Sequence, residues 1–373
     1  MNRKLISADS HICEPPEIWR DRLPARLKDR APRVITLDGR PGEFFACEDI
    51  QPRSVFAAAA AGVASEDLPA RAARGFAAAP DSIRDAHARI AEQDRDGISA
   101  EVLYPTFADL IFGVRDVDLR QACFRAYNDF VIEHTEPYPD RLLGAALVDT
   151  ADLDWALREA RRALAAGLRT VVVRGDSDVD YGAAEYDPLW ALAVEHGVPI
   201  TIHRGAVRSD VTVDVRRALR EYMAIPHQAQ RALTDMVLGG VWERHADLRL
   251  VLCEFDLLWV PHFLQRLAHA DERYGAPFGL GLSQPAVDQI RQSVWMTFQH
   301  ETDELAAIAD QWPSDRLLWA SDYPHAESSY PHSSELVELI AERLGEKTTE
   351  QVTYGNVAEL YGLTSPESSM GAA

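Results

Sequence analysis

Near the start of the chain an Asp-x-His triplet, Asp9 and His11, offers a carboxylate and an imidazole. Side chains two residues apart in an extended segment share a face, so both would point the same way. His203 closes the apolar run VPITIH, where both ring nitrogens need partners away from bulk water, and Asp322 closes LLWASD just ahead of Pro324. Each has a plainer use: Asp9 as a turn cap beside a surface histidine, His203 as a hydrogen-bonded core histidine, Asp322 as the N-cap of the helix starting near Ser333. Three segment ends delivering these types to one place point instead to one divalent cation held by Asp9, His11, His203 and Asp322. Carboxylate and imidazole ligands suit zinc, manganese or iron, and an unfilled coordination position would admit a water.

Other polar residues end apolar runs in the same manner. Arg174 closes TVVVR, Arg204 follows His203, Glu254 closes LVLCE, His300 follows VWMTFQ, and His325 follows Asp322 by three residues. Arg174 and Arg204 are candidates to grip an anionic group of a substrate, with His300 as a further substrate contact. Glu254 is either a second proton-transfer group or, the reading preferred here, a carboxylate paired with Arg174 or Arg204. His325 is the better candidate for a general acid, being close to Asp322 in the chain, and Asp322 is placed to relay a proton. Glu14 is read as an anchor of the first loop, and Tyr127, Asn128 and His134 as packing or capping residues of a helix.

The elements that must bring these residues together are short β-branched runs, each followed by a segment of helical spacing. This alternation is the mark of parallel β/α architecture. Eight such runs begin at Arg3, Gly97, Arg141, Leu168, Val198, Leu248, Ser293 and Arg316. Eight strands with crossover helices, and no G-x-G-x-x-G after the first, predict an α/β protein of the closed (β/α)8 TIM-barrel class. In such a barrel the C-terminal strand ends form the catalytic rim, where the residues above fall. Helices are expected over Asp152 to Ala166, ended by Gly167, in DPLWALAVEHG, and over Leu258 to Arg273, Glu301 to Trp312 and Ser333 to Leu344. Residues 1–363 read as one barrel with an Ala-, Pro- and Gly-rich insertion at about 37–80, a candidate lid or pocket wall, and 364–373 as a disordered tail.

Composition narrows the partners. The 373 residues are 47% apolar and 26% charged, enough for a large core, and the net charge of −21 repels nucleic acid and anionic membranes. The expected partner is a small molecule. Cys13, Cys47, Cys123 and Cys253 show no C-x-x-C spacing, and no run is apolar enough for a membrane span or export signal, so a reduced, cytoplasmic protein is expected.

The motifs ADSHICEPPEIW, VPITIHRG, LLWASDYPH and GNVAELYGL, in this order along nearly the whole chain, resemble the amidohydrolase superfamily. The similarity is to the amidohydrolase-related branch that includes aminocarboxymuconate semialdehyde decarboxylase-like enzymes. It implies a metal-binding barrel, a homodimer, and Asp9, His11, His203 and Asp322 as the metal ligands. Two departures bear on the reaction. Arg174 stands where binuclear members carry a bridging lysine, which implies one metal. Glu254 stands where the family's decarboxylases place a catalytic histidine, which points toward hydrolysis of an ester, thioester or amide carbonyl by metal-activated water. Decarboxylation of an aromatic or unsaturated acid on the same ligands is the alternative, and an inactive binding barrel a second one.

Overall fold

The computed structural model describes residues 3–55, 57–175, 179–205 and 214–363; the expected tail at 364–373 lies outside them. Eight strands form one parallel sheet: β1 (Leu5–Ile12), β2 (Ile98–Pro105), β3 (Leu142–Leu147), β4 (Thr170–Arg174), β5 (Ile200–His203), β6 (Leu250–Cys253), β7 (Val294–Phe298) and β8 (Leu317–Trp319). Each pairs with the next in chain order. The sheet curls into a nearly closed barrel, and just beyond β8 the Asp322 N–H donates to the Asp9 carbonyl at 2.9 Å, so the last strand meets the first. β3 and β5 are buried along their whole length, as strands covered on both faces are, and the polar Thr201 and His203 of β5 are buried with the rest. Seven of the eight runs read from the sequence contain one of these strands, while β1 runs on past the first, RKLISAD, to Ile12.

Helices cover the outside. The one at Leu153–Ala165 starts where the Asp152 side chain accepts the Trp155 N–H at 3.0 Å, and it buries Ala156, Ala160, Ala163 and Leu164. Gly167, at φ +102°, lets the chain turn back into β4, a conformation that would strain a residue with a Cβ. The helix expected over Glu301 to Trp312 is shorter, Thr302–Ile308. The N–H groups of Gln311 and Trp312 both fold back on the Ile308 carbonyl, and Pro313 follows. The helix expected to run to Arg273 stops at Ala270, after which Asp271–Gly275 continues as a wider turn.

The insertion has structure of its own. Short antiparallel strands at Arg33–Ile35, Phe44–Ala46 and Arg53–Ser54 make a small sheet that begins ahead of the expected boundary at residue 37. Its Phe45 ring stacks on Phe107, 5.0 Å between centroids, which ties the sheet to the loop after β2. Among the described residues no helix is long and apolar enough to cross a membrane, and all four cysteines are buried thiols.

Candidate metal centre and active site

Asp9 and His11 sit at the carboxyl end of β1, His203 ends β5, and Asp322 lies three residues past β8; all four are buried. The barrel brings them together. His11 Nε2 lies 3.5 Å from Asp9 Oδ1 and 3.4 Å from Asp322 Oδ1, and His203 Nε2 lies 3.5 Å from Asp9 Oδ1. The two rings are oriented from behind. His11 Nδ1 donates to the Pro105 carbonyl at 2.9 Å and His203 Nδ1 to the Arg204 carbonyl at 3.2 Å, so each ring turns its Nε2 toward Asp9 Oδ1.

Those Nε2 atoms, both Asp9 oxygens and Asp322 Oδ2 have no hydrogen-bond partner among the described residues, although buried polar atoms are rarely left so. Donors bound to one tetrahedral ion at about 2.0–2.2 Å stand roughly 3.3–3.6 Å from each other. The separations of 3.4–3.5 Å match that spacing. Asp9, His11 and His203 thus form one group that could hold a divalent cation, and His11, Glu254, Asp322 and His325 form a second that shares His11.

Electrostatics give the same picture of charges packed in a dry place. Burial pushes the Asp9 carboxyl up and Asp322 to about 7, against the pull of His203 and His325 respectively. Burial, with His325 next to it, holds His11 well below its usual range. His203 and His325 move the other way, to about 9, because burial is outweighed by Asp9 and Glu254 in one case and by Asp322 in the other.

Glu254, at the end of β6, is paired with Arg204, its Oε1 3.5 Å from Nη2 and its Oε2 closer still to Nε. It also stands 3.5 Å from His203 Nε2 and 4.0 Å from His11 Nε2. Burial would raise its carboxyl, but Arg204 and then His203 hold it well below the usual carboxylate range. Glu254 and Asp322 adopt φ of +61° and +55°, a left-handed conformation that costs a non-glycine residue about 1–3 kcal/mol and recurs at functional sites.

His325 Nδ1 lies 2.9 Å from Asp322 Oδ1, and its Nε2 meets the Thr106 hydroxyl at 3.2 Å. The loop carrying Thr106 is held by Glu14, whose buried carboxylate accepts the N–H groups of Thr106, Phe107 and Ala108, in agreement with its expected anchoring role.

Two expected substrate contacts are absent from the lining of the main cavity. Arg174 is outside the lining of the main cavity, its Nη1 donating to the Phe112 carbonyl at 3.2 Å and its guanidinium lying over the Phe112 ring, because the side chain leaves β4 toward that loop. His300 is exposed, bonded to the Glu327 carbonyl at 2.6 Å, and borders an adjoining chamber of about 220 Å³ that shares Arg204, Tyr222, Glu254 and Glu327 with the main cavity. The main cavity, about 310 Å³, has His11, His203, Glu254 and His325 among its polar lining and Phe107, Leu110, Leu219 and Tyr222 among its apolar lining. Sequence reading missed Thr106, although a hydroxyl one residue past β2 fits the strand-end rule that found the others.

A family model described as amidohydrolase matches residues 85–363. Gamma-resorcylate decarboxylase of Polaromonas sp. (strain JS666 / ATCC BAA-500) is 22% identical over 288 residues, 74% of this chain and 86% of that protein. Among solved structures, an amidohydrolase from Mycobacterium avium subsp. paratuberculosis K-10 superposes with a TM-score of 0.76 at 22% identity, covering 97% of this chain and 100% of the other. A dihydroxybenzoic acid decarboxylase from Polaromonas sp. JS666, with bound manganese and the inhibitor 2-nitroresorcinol, gives a TM-score of 0.66 at 17% identity over 98% of each chain.

Both of these relatives whose names state a reaction are decarboxylases, which overturns the expected hydrolysis. That expectation rested on Glu254 replacing a histidine at the sixth strand. An imidazole does stand at the site from beyond β8, the His325 ring centroid lying 4.0 Å from that of His11, while Glu254 is engaged by Arg204.

Proposed function

The chain belongs to the amidohydrolase family, and on that premise we propose that it is a metal-dependent, non-oxidative decarboxylase of a hydroxylated aromatic acid. The observation that carries this reading is the Asp322–His325 pair, 2.9 Å apart, beside a cavity with an aromatic and aliphatic wall. The aromatic hydroxy acids named for the relatives support the substrate class.

Asp9, His11, His203 and Asp322 would hold the cation, which when bound supplies positive charge to anchor and polarise the acid. Loss of carbon dioxide breaks the bond between ring and carboxyl carbon and leaves the electron pair on the ring carbon, which must then take a proton. Asp322 is the donor in this reading, because its carboxyl is buried at the rim and paired with the His325 ring. His325 hands it a replacement through Nδ1, and Thr106 holds the far nitrogen of that ring. Arg204, fixed by Glu254, presents a permanent positive charge at the cavity wall for a ring oxygen. Phe107 and Leu110 keep water from the reacting carbon.

The test is to load the protein with manganese and offer hydroxybenzoates labelled at the carboxyl carbon. Labelled carbon dioxide should appear in the headspace and, in heavy water, one deuterium at the vacated ring position. Protein carrying stoichiometric metal that releases no carbon dioxide from any of them would sink the proposal.

A further inference from the structure

The helix at Val215–Met223 is built the wrong way round for a surface helix. Its apolar residues Val215, Leu219, Tyr222 and Met223 follow the i, i+4, i+7, i+8 spacing of one face, which ordinarily turns to the core. Here they are 51%, 56%, 50% and 75% exposed, and the helix buries only Ala218. The helix starts under the Asp214 cap, whose carboxylate accepts the Arg217 N–H at 3.1 Å.

This stripe is continuous with the active-site cavity. Leu219 and Tyr222 belong to both, standing at once in the cavity wall and on the exposed face, with Val215 and Met223 extending that face. Within the cavity the metal-site histidines mark the polar end, and Leu110, Leu219 and Tyr222 supply apolar surface. A ligand matching this surface has a charged, ring-sized head and an apolar extension that leaves by way of Leu219 and Tyr222. Covering the stripe would remove apolar surface from water at four consecutive contact positions, the ordinary driving force for such binding.

We infer that the natural substrate is an aromatic acid bearing an extended apolar substituent, which lies along Leu219, Tyr222 and Met223 while the acid end occupies the metal site. This rests on the decarboxylase reading for the head group, whereas the tail site stands on the exposed stripe.

Direct binding separates the two. Calorimetry with metal-loaded protein and salicylates carrying para-alkyl groups from methyl to hexyl should show affinity rising about fourfold per methylene until the stripe is covered. In Leu219→Ser and Met223→Ser that slope should flatten, with unchanged thermal unfolding checking that the exposed substitutions leave the fold intact. Unsubstituted salicylate binding with no dependence on chain length overturns the tail site and leaves the decarboxylase reading standing. Chain-length dependence without release of carbon dioxide from any member keeps the tail site and removes the decarboxylase reading. A wild-type dimer that Leu219→Ser dissociates, seen by sedimentation, assigns the stripe to a second copy and overturns the inference.

Discussion

The N–H of Asp322 donates to the carbonyl of Asp9 at 2.9 Å, so two aspartates from opposite ends of the chain are tied backbone to backbone at the joint between the last strand and the first. Arg89 secures that joint. Its guanidinium reaches the His11 carbonyl at 2.9 Å and the Tyr323 carbonyl at 3.2 Å, and it pairs with Glu101 at 2.7 Å, all in the interior.

Arg89→Met should therefore be costly. It leaves the Glu101 carboxylate buried without its cation, a loss worth about 3–5 kcal/mol, while replacing both members with apolar residues is far milder. Urea unfolding of Arg89→Met and of Arg89→Met/Glu101→Leu checks this, with the double variant recovering more than half of the loss. A single variant costing under about 1 kcal/mol contradicts the role assigned to the pair.

His203→Ala removes one of the four proposed ligands. Bound metal measured by elemental analysis should fall to background, and affinity should drop by more than the roughly 10–100-fold caused by losing a residue that only orients a ligand. Metal retained in full with unchanged turnover contradicts the assignment.

Asp322→Asn keeps the shape and the left-handed backbone, which asparagine tolerates, but cannot give up a proton as the carboxyl does. At saturating metal, kcat should fall by about 10²–10⁴ while the thermal midpoint moves little. A fall in metal affinity alone, with full kcat once saturated, removes Asp322 from proton transfer.

His134 gives a pH dependence of stability. Burial, with Arg89 nearby, lowers its ring from 6.5 to about 4. As pH falls below 6.5 the unfolded chain takes up a proton that the folded one accepts only near 4, so stability is lost across that window. Between about pH 7 and pH 5 this amounts to about 2 kcal/mol, and His134→Gln should lose that much less on acidification. Denaturation curves at the two pH values measure the difference.

Much of this was legible in the chain. A strand buried on both faces reads as a near-continuous apolar run, and a polar residue at the end of such a run is conspicuous, which is why Asp9, His203, Glu254 and Asp322 stood out. What stayed hidden depends on partners far away in sequence. Asp96 caps the helix at Ser333, its Oδ1 accepting the Ser333 N–H at 3.0 Å, where a cap is ordinarily sought next to the helix. Arg89 and Glu101 read as ordinary charges until the barrel joint brings them together. The strands of the small sheet are two or three residues long, too short for any periodicity to show.

Among the described residues that small sheet reaches the main cavity through Arg53 and Ser54, with Ala58 following, while the proposed cation donors stand at or just past the barrel strand ends. Substitutions at Arg53 and Ser54 can therefore reshape one wall of the pocket without touching any proposed donor.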